Sequence, residues 1–328
     1  MKISKFMVGC AAALVAAAVP DKATAHADPI GGLDHVLIWT RNIDQITSIM
    51  TVKLGFQVRP GGDFGDGVAN RLIQFADASY LELLYFTLPE AELAGQPRAV
   101  YAETAGGPTA NAFALEAGDV DAVSRQLREA GWQLAPDSPM TYDPDGDGPQ
   151  PPLESLWRTV AFESKPLTSA ELFFIRYQLG PSTPTQQADR TVFRRHPNGA
   201  ERISAVWLLS ADSQAERERL LRMGFISEGA VELPNHGLRG FRFVSGGETI
   251  LALEPSGPGA AADSLALRGP HLYGISIAVA DLALTRRIVE RGYGQPLAPY
   301  QGLEGQAVTA PASAELGLLL EFHQSSPN

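Results

Sequence analysis

The chain has 328 residues, of which 45% are apolar and 19% are charged. This composition is typical of a globular protein with enough material for two domains, and it excludes a disordered or membrane-embedded chain. The formal net charge of −11 argues against nucleic acid and anionic membrane surfaces as partners. We therefore expect a small-molecule substrate as the partner of a monomer or homodimer.

Residues 1–27 have the pattern of a secretory signal peptide. Two lysines supply a basic start, an apolar core spans residues 6–19, and Ala25-His26-Ala27 is a small-x-small cleavage site. The core is too short to anchor the chain in a membrane, so we expect cleavage after Ala27 and a periplasmic or secreted protein. The single cysteine, Cys10, would leave with the signal, which excludes disulfides and thiolate ligands in the mature chain.

One pattern recurs four times after the signal peptide. A strand-like run leads to an amphipathic helix-like segment and then to a glycine, which is the expected left-handed helix stop, followed by an aromatic residue that begins the next strand. The predicted helices are Asp44–Leu54, Val120–Ala130, Ser213–Met223 and Leu282–Arg291, and the stops are Gly55, Gly131, Gly224 and Gly292.

The spacings support the repeat. If His35, Ala112, Ala205 and Gly274 are equivalent, the glycine stop follows each by 18 to 20 residues. The matching positions on the last strand of each unit are Glu82, Phe173, Leu251 and Glu321, which lie 46 or 47 residues from the start in three units and 61 in the second. The second unit therefore contains an insertion.

Three stretches rich in Pro, Gly, Ser, Thr or Gln separate the copies, at residues 89–108, 181–200 and 255–270. The middle stretch predicts a domain boundary. We expect an N-terminal domain over residues 28–182, a linker over 183–201 and a C-terminal domain over 202–328, each with two units.

A duplicated and paired βαβββ unit of this kind resembles the vicinal oxygen chelate superfamily. More narrowly, the first unit, the turn Pro144-Asp145-Gly146, the segment Leu156-Trp157-Arg158 and the motif His196-Pro197-Asn198-Gly199-Ala200 are similar to glyoxalase-like domain proteins. The resemblance implies an α+β fold with four βαβββ modules paired into two cupped mixed sheets. It is specific for the fold but not for the reaction, because relatives include isomerases, ring-cleaving dioxygenases, epimerases, thiol transferases and metal-free binding proteins.

His35 and Glu82 are the main site candidates. Each is a polar side chain inside an apolar strand-like run, against the alternation of a strand. The resemblance places both at metal-ligand positions on the first and last strands of their unit. Ala112 and Phe173 occupy the other two ligand positions, so the usual set of ligands is incomplete.

Three interpretations of this pair compete. In the first, His35 and Glu82 bind Zn, Mn, Fe or Ni with an open coordination shell. In the second, they act without a metal as an acid–base pair, and in the third they only hydrogen-bond each other or the backbone. We favour a metal-assisted lyase, isomerase or dioxygenase for a small oxygenated substrate. The alternative is a metal-free binding or sequestering protein of the bleomycin-resistance type, because Ala112 and Phe173 make the cup apolar.

A variant adds a third metal ligand. In some four-unit relatives the first unit pairs with the last, which would bring Glu321 beside His35 and Glu82 as a facial triad. The position of the middle linker favours the other pairing, in which the first unit joins the second.

Further candidates surround this site. Asn70 and Arg71 lie on one strand-like run and Arg158 on another, and with Phe173 they are our candidates for substrate binding if they face the cup. Of the remaining histidines, His196 is expected to have a structural role in its motif or to reach the first cup. His236 and His271 are expected in solvated loops, and His323 shares a strand face with Glu321.

The insertion in the second unit contains an acidic pattern. Asp143, Asp145, Asp147 and Glu154 match the spacing of an EF-hand calcium loop. Three prolines in the loop and the lack of flanking helices contradict the usual context, so a structural calcium site and a solvated acidic turn stay as alternatives.

Overall fold

The computed structural model describes residues 29–64, 67–136, 157–178 and 191–325. The predicted signal peptide, the predicted calcium ligands and the Pro144-Asp145-Gly146 turn lie outside these residues. In the described part of the chain, no helix combines the length and the apolar character needed to cross a membrane.

The first two units form one mixed sheet of seven strands in the order β2-β3-β4-β1-β5-β7-β6. Strand β1 is parallel to β4 and antiparallel to β5, so the first strands of the two units meet at the centre of the sheet. The strands are β1 (Ile30–Thr40), β2 (Arg59–Asp63), β3 (Val68–Gln74), β4 (Tyr80–Phe86), β5 (Thr109–Ala117), β6 (Trp157–Val160) and β7 (Glu171–Tyr177).

The last two units form a second mixed sheet of eight strands in the order β13-β14-β15-β12-β8-β11-β10-β9. The first unit therefore pairs with the second and the third with the fourth, and the alternative pairing of the first with the last is wrong. The strands are β8 (Ala200–Leu209), β9 (Ile226–Leu233), β10 (Leu238–Ser245), β11 (Glu248–Pro255), β12 (His271–Val279), β13 (Tyr300–Gly302), β14 (Gly305–Ala310) and β15 (Leu319–Gln324).

The strand register confirms the equivalence of the four units. The sequence assigned each unit one equivalent residue on its first strand and one on its last strand. In all four units the first-strand residue pairs with the residue two positions before the last-strand one. The four pairs across the parallel strands are His35 with Tyr80, Ala112 with Glu171, Ala205 with Thr249 and Gly274 with Leu319.

Seven α-helices lie entirely within the described residues. They are α1 (Ile43–Ser48), α2 (Gly95–Glu103), α3 (Val120–Glu129), α4 (Ser213–Met223), α5 (Ala260–Arg268), α6 (Leu282–Tyr293) and α7 (Ser313–Leu316). A π-helical turn, Ile49–Lys53, continues α1. Helices α1, α3, α4 and α6 correspond to the four predicted helices.

Gly292 is not a helix stop, which corrects the prediction for α6. The helix continues two residues beyond Arg291 and ends at Gly294, whose φ of 67° is left-handed. Gly292 instead permits close packing, because a Cβ on it would lie 2.2 Å from the carbonyl oxygen of Lys53. The structure therefore requires glycine at this position because a Cβ would collide with the backbone of Lys53, and not because the helix ends there.

Two helices lie in segments that the sequence predicted as linkers. Helix α2 falls in 89–108 and α5 in 255–270, at equivalent places in the two halves. Each covers the sheet face opposite the four predicted helices, where Val100 of α2 and Ala261 of α5 join the buried apolar clusters of that face. We call these two faces the N-terminal cup and the C-terminal cup.

The strands alternate between two apolar layers. In β1, Val36 and Ile38 join the large cluster on the helix side, whereas Leu37 and Trp39 point into the N-terminal cup. The large cluster also contains helix-side residues of the second sheet, such as Val206 and Phe322. The helix-bearing faces of both sheets thus share one core, and both cups lie outside it.

His196 joins the two halves and takes the structural role among its predicted roles. Its Nδ1 accepts a hydrogen bond from the backbone N–H of Gln57 at 3.0 Å, so Nε2 carries the proton and donates to the Gln74 carbonyl at 2.9 Å. The ring also packs edge-on against Phe56 and Phe75. Because protonated Nδ1 would confront a backbone donor, this site needs a neutral histidine.

Acidification is therefore expected to destabilise the protein through His196. Burial lowers the pKa of His196 to about 4, so between pH 6.5 and 4 the unfolded state binds a proton that the folded state does not. Stability falls as the pH drops through this window, by about 2 kcal/mol between pH 6.5 and 4.5. Urea unfolding at both pH values measures the loss.

His196→Gln is the matched comparison, since glutamine does not titrate. The variant should lose less stability than the wild type between these pH values. His236 and His271, whose pKa values burial also lowers to about 4, remain in both proteins. An equal loss in the two proteins would contradict the role of His196.

Candidate functional site

His35 lies at the middle of β1 and its side chain is completely buried. Its Nδ1 lies 2.5 Å from Oδ1 of Asp34. The Tyr177 hydroxyl donates to the same carboxylate oxygen at 3.0 Å. Because Nδ1 contacts this carboxylate, which accepts hydrogen bonds, the neutral tautomer of His35 that fits the contact carries its proton on Nδ1 and its lone pair on Nε2.

Asp34 was missed by the sequence analysis because of strand alternation. Adjacent strand residues point to opposite faces, which would place Asp34 on the helix side. The pairing of β1 with β5 shifts register between Leu33 and His35, leaving Asp34 as the extra residue of a β-bulge. The bulge re-aims its side chain toward the imidazole. The signal that could have identified Asp34 in the sequence was the polar pair Asp34-His35 inside an apolar run.

Glu82 lies on β4 and is also completely buried. Its Oε1 accepts a hydrogen bond from Asn70 Nδ2 at 2.7 Å, and Asn70 Oδ1 accepts one from the Gly62 N–H at 2.8 Å. Asn70 was predicted to bind substrate, and the structure places it as the residue that orients Glu82. Burial raises the pKa of Glu82 to about 7, although His35 and Asn70 act in the opposite direction.

His35 and Glu82 face each other with unpaired atoms. Nε2 of His35 and Oε2 of Glu82 lie 3.7 Å apart, and neither has a hydrogen-bond partner in the described part of the chain. Two buried polar atoms without partners are costly. In the third interpretation, the two side chains only hydrogen-bond each other or the backbone. The separation of 3.7 Å and the two unpaired atoms do not match it.

Aromatic side chains fix the imidazole. The Tyr80 ring stacks on His35 with centroids 4.5 Å apart, and Phe173 presents its edge at 5.4 Å. Phe173 therefore lies in the N-terminal cup beside His35, as predicted for a residue at a ligand position. Ala112 is buried in the same apolar cluster, so the second unit adds no polar atom to the pair.

Both predicted substrate arginines face away from the cup, which corrects that expectation. Arg71 donates to Thr47 at 2.8 Å and to Asp44 at 2.9 Å, both on α1. Arg158 pairs with Asp121 on α3 at 2.9 Å. Strand alternation places Asn70 and Trp157 in the cup and their neighbours Arg71 and Arg158 on the helix side.

Glu321 lies in the C-terminal cup, on the other sheet. It accepts hydrogen bonds from Ser276 at 2.7 Å and from the Tyr300 hydroxyl at 2.6 Å. In the described ranges no group of three or more His, Cys, Asp or Glu side chains has metal-binding geometry. The predicted facial triad of His35, Glu82 and Glu321 is therefore wrong.

The other histidines are less exposed than expected. His236 contacts the Tyr300 hydroxyl at 2.8 Å and lies edge-on to Trp207, and His271 is buried with bonds to Ser264 and Gly269. The prediction of solvated loops was wrong for both, because the short helical turn of His236 packs against Tyr300 and Trp207, and His271 is the first residue of β12 and packs against Ser264 of α5. His323 is buried against Ser204, not against Glu321.

Comparisons with known proteins agree with this fold. The sequence profile described as "Glyoxalase-like domain" matches residues 33–224. A search of curated protein sequences found no match. A triple mutant of 4-hydroxymandelate synthase from Streptomyces coelicolor is similar over 90% of this chain and 93% of that chain, with a TM-score of 0.65 and 13% identity.

A second solved structure is similar over the same extent. A hypothetical protein from Staphylococcus aureus matches 90% of this chain and 99% of that chain, with a TM-score of 0.55 and 13% identity. At such low identity these two structures establish the fold and not the reaction. The two curled sheets and the profile define a protein of the vicinal oxygen chelate superfamily. Within it, the chain belongs to the glyoxalase-like domain family.

Proposed function

We propose that the N-terminal cup is an enzyme active site in which His35 and Glu82 hold a divalent metal ion beside a small oxygenated organic substrate. The observation that carries the proposal is the separation of 3.7 Å between two buried atoms that lack hydrogen-bond partners, His35 Nε2 and Glu82 Oε2. The proposed reaction class is that of a lyase, isomerase or dioxygenase.

The residues present fit a metal. Bonds of about 2.0–2.2 Å from a tetrahedral ion to imidazole nitrogen and carboxylate oxygen place the two ligand atoms about 3.4 Å apart, close to the observed separation. Asp34 on the far ring nitrogen is the partner that metal-bound histidines usually have, since it fixes the tautomer and the ring orientation. Zn, Mn, Fe and Ni are all compatible with this pair of donors.

The side chains of this chain have separate roles in the proposal. Asp34 keeps the lone pair of His35 on Nε2, and Asn70 holds the Glu82 carboxylate from its other oxygen. Ala112 and Phe173 supply no donor, so the remaining coordination positions are left to substrate or water, and the apolar cup excludes bulk water. The ion would act as a Lewis acid that stabilises an enolate-like charge on the substrate.

Metal analysis tests the proposal. Purified protein reconstituted with each metal and then desalted should retain about one ion per chain, and His35→Ala should lose it because one of only two protein ligands is gone. His271→Gln, which removes another buried histidine outside the cup, serves as the control and should keep the ion. Wild-type protein without metal, or unchanged content in His35→Ala, would sink the proposal.

The second candidate function is metal-free binding of an apolar compound. It is favoured by the apolar side chains at the two absent ligand positions, Ala112 and Phe173, and by Trp39 in the same cluster. Protein that binds no metal but whose tryptophan fluorescence responds to aromatic compounds would support it. In either case we propose that the protein is exported and that its signal is cleaved after Ala27.

A further inference from the structure

A pocket opens at the edge of the N-terminal cup, between α2 and the strands β1, β5 and β7. Its inner wall is apolar and its mouth is polar, and Phe173 in that wall also contacts the His35 ring. The apolar lining residues include Leu37, Trp39, Ala112, Ala161 and Phe173, and the polar ones are Gln96, Asn111 and Glu171.

Asn111, one of the lining residues, has an unpaired acceptor atom. A register shift between β1 and β5 leaves Asn111 as the bulged residue between Ala110 and Ala112. Its Nδ2 donates to Glu103 at 3.3 Å, which fixes the orientation of the amide because a carboxylate only accepts. Oδ1 is buried and has no hydrogen-bond partner in the described part of the chain.

Glu171 is the second acceptor at the mouth. It is half-buried at the start of β7, and no hydrogen bond to its carboxylate occurs among the described residues. Burial raises the pKa of Glu171 to about 7; Lys165 acts against this shift and Glu103 adds to it. The lining therefore contains a half-buried carboxyl group and a buried amide oxygen, both able to accept a hydrogen bond.

Cations are missing from the lining that the structure describes. No lysine or arginine lines the pocket there, since Arg71 and Arg158 bond to helices on the other face of the sheet. Lys165 is exposed and acts on Glu171 from outside the lining. A carboxylate or phosphate entering this pocket would meet no cation in the described lining; the Asn111 amide already donates to Glu103, and the Gln96 amide is a side-chain donor left to it.

We propose that the ligand of the N-terminal cup is an apolar compound that presents a hydroxyl or an amine to Asn111 and Glu171 and carries no anionic group. This rests on the proposed function, because it names the ligand class of the same cup. A donor group pairs the orphaned Asn111 oxygen, which is costly to leave unpaired, whereas an anion would lie beside the Glu171 carboxyl group with no cation in the described lining to offset its charge.

The size of the pocket adds one requirement. Its volume is about 40 Å³, which holds about three waters. A larger ligand therefore has to displace Gln96, which α2 contributes to the wall. Helix α2 is suited to this, because Val100 is its only buried residue in the described structure.

Three probes that share a phenyl ring test the inference. Benzyl alcohol, benzylamine and benzoate are titrated into the full mature protein, with and without bound metal, and binding is followed by Trp fluorescence and calorimetry. Benzyl alcohol and benzylamine are expected to bind about tenfold more tightly than benzoate, a difference of about 1.4 kcal/mol.

Two variants assign the preference to the mouth. Asn111→Leu should weaken both donor probes about fivefold, which corresponds to one neutral hydrogen bond of about 1 kcal/mol. Glu171→Gln should weaken benzylamine more than benzyl alcohol, because the cationic ammonium group gains attraction to a negative carboxylate in addition to the hydrogen bond that both probes can make. Glu129→Gln, an exposed carboxylate on α3, is the control and should change nothing. Circular dichroism verifies that each variant is folded.

The outcomes separate this inference from the metal proposal. Benzoate binding as tightly as the other probes, no binding by any probe, or donor probes unaffected by both variants would each overturn the inference. Donor-selective binding in protein that retains no metal would uphold it while the proposed metal site fails. Metal retention without donor selectivity would uphold the proposed metal site and overturn this inference.

Discussion

Glu82→Gln is expected to stabilise the metal-free protein by about 3 kcal/mol at pH 8. The pKa of Glu82 is raised from 4.5 to about 7 in the folded state, chiefly by burial, so above pH 4.5 the unfolded state loses a proton that the folded state keeps. Wild-type stability therefore decreases as the pH rises from 4.5 to 7 and stays reduced above that value. Glutamine preserves the acceptor for Asn70 without the charge.

Urea unfolding in EDTA at pH 4.5 and pH 8 measures this effect as a difference between the variant and the wild type. The two proteins should be similar at pH 4.5 and diverge by pH 8. Glu129→Gln, which neutralises an exposed carboxylate, should stay within about 0.5 kcal/mol of the wild type. A variant that is no more stable than the wild type at pH 8 would mean that Glu82 is paired in the metal-free state.

The second large effect is expected at Glu216, where Glu216→Ala should cost about 3 kcal/mol or more. This carboxylate on α4 is completely buried and accepts four hydrogen bonds, from the backbone N–H and the hydroxyl of both Thr168 and Ser169. Alanine would leave four donors of the other half without an acceptor, and each unsatisfied buried group costs about 1–3 kcal/mol if it stays dry.

Chemical denaturation at pH 7 measures the loss at Glu216. Glu218→Ala is the matched control, because Glu218 is exposed on the same helix and bonds only Gln214 among the described contacts; its cost should be below about 0.5 kcal/mol. Glu216→Gln should fall between the two, since an amide offers one acceptor oxygen where the carboxylate offers two. Equal stability of the two alanine variants would contradict the role of Glu216.

The repeat could be predicted from the sequence because its signals are local. Glycine after an amphipathic run and an apolar run of fixed spacing predicted the helices and the equivalent strand positions, and strand register confirmed them. Helix α2 could not be predicted, because Gly95 and Pro97 make its segment resemble a linker. Its formation depends on burying Val100 in the cup, which is a tertiary contact.

The site was predictable in part for the same reason. His35 and Glu82 were recognised as polar residues in apolar runs, and both lie in one cup. Asp34 was missed because its direction depends on a β-bulge. Arg71 was placed wrongly because strand alternation divides the residues into two faces without saying which face lines the cup. The contact that holds Arg71 on the other face is with Asp44, which lies on a helix 27 positions away in sequence.

The shared core has a consequence for folding. Because helix-side residues of both sheets belong to one apolar cluster, opening either half exposes the apolar surface of the other. Contacts such as Glu216 with Ser169 and His196 with Gln74 cross the same boundary. We therefore expect the two halves to lose their structure in one cooperative transition, and a fragment that ends before β8 would present half of a core to solvent. The repeated unit thus forms two separate cups on one shared core.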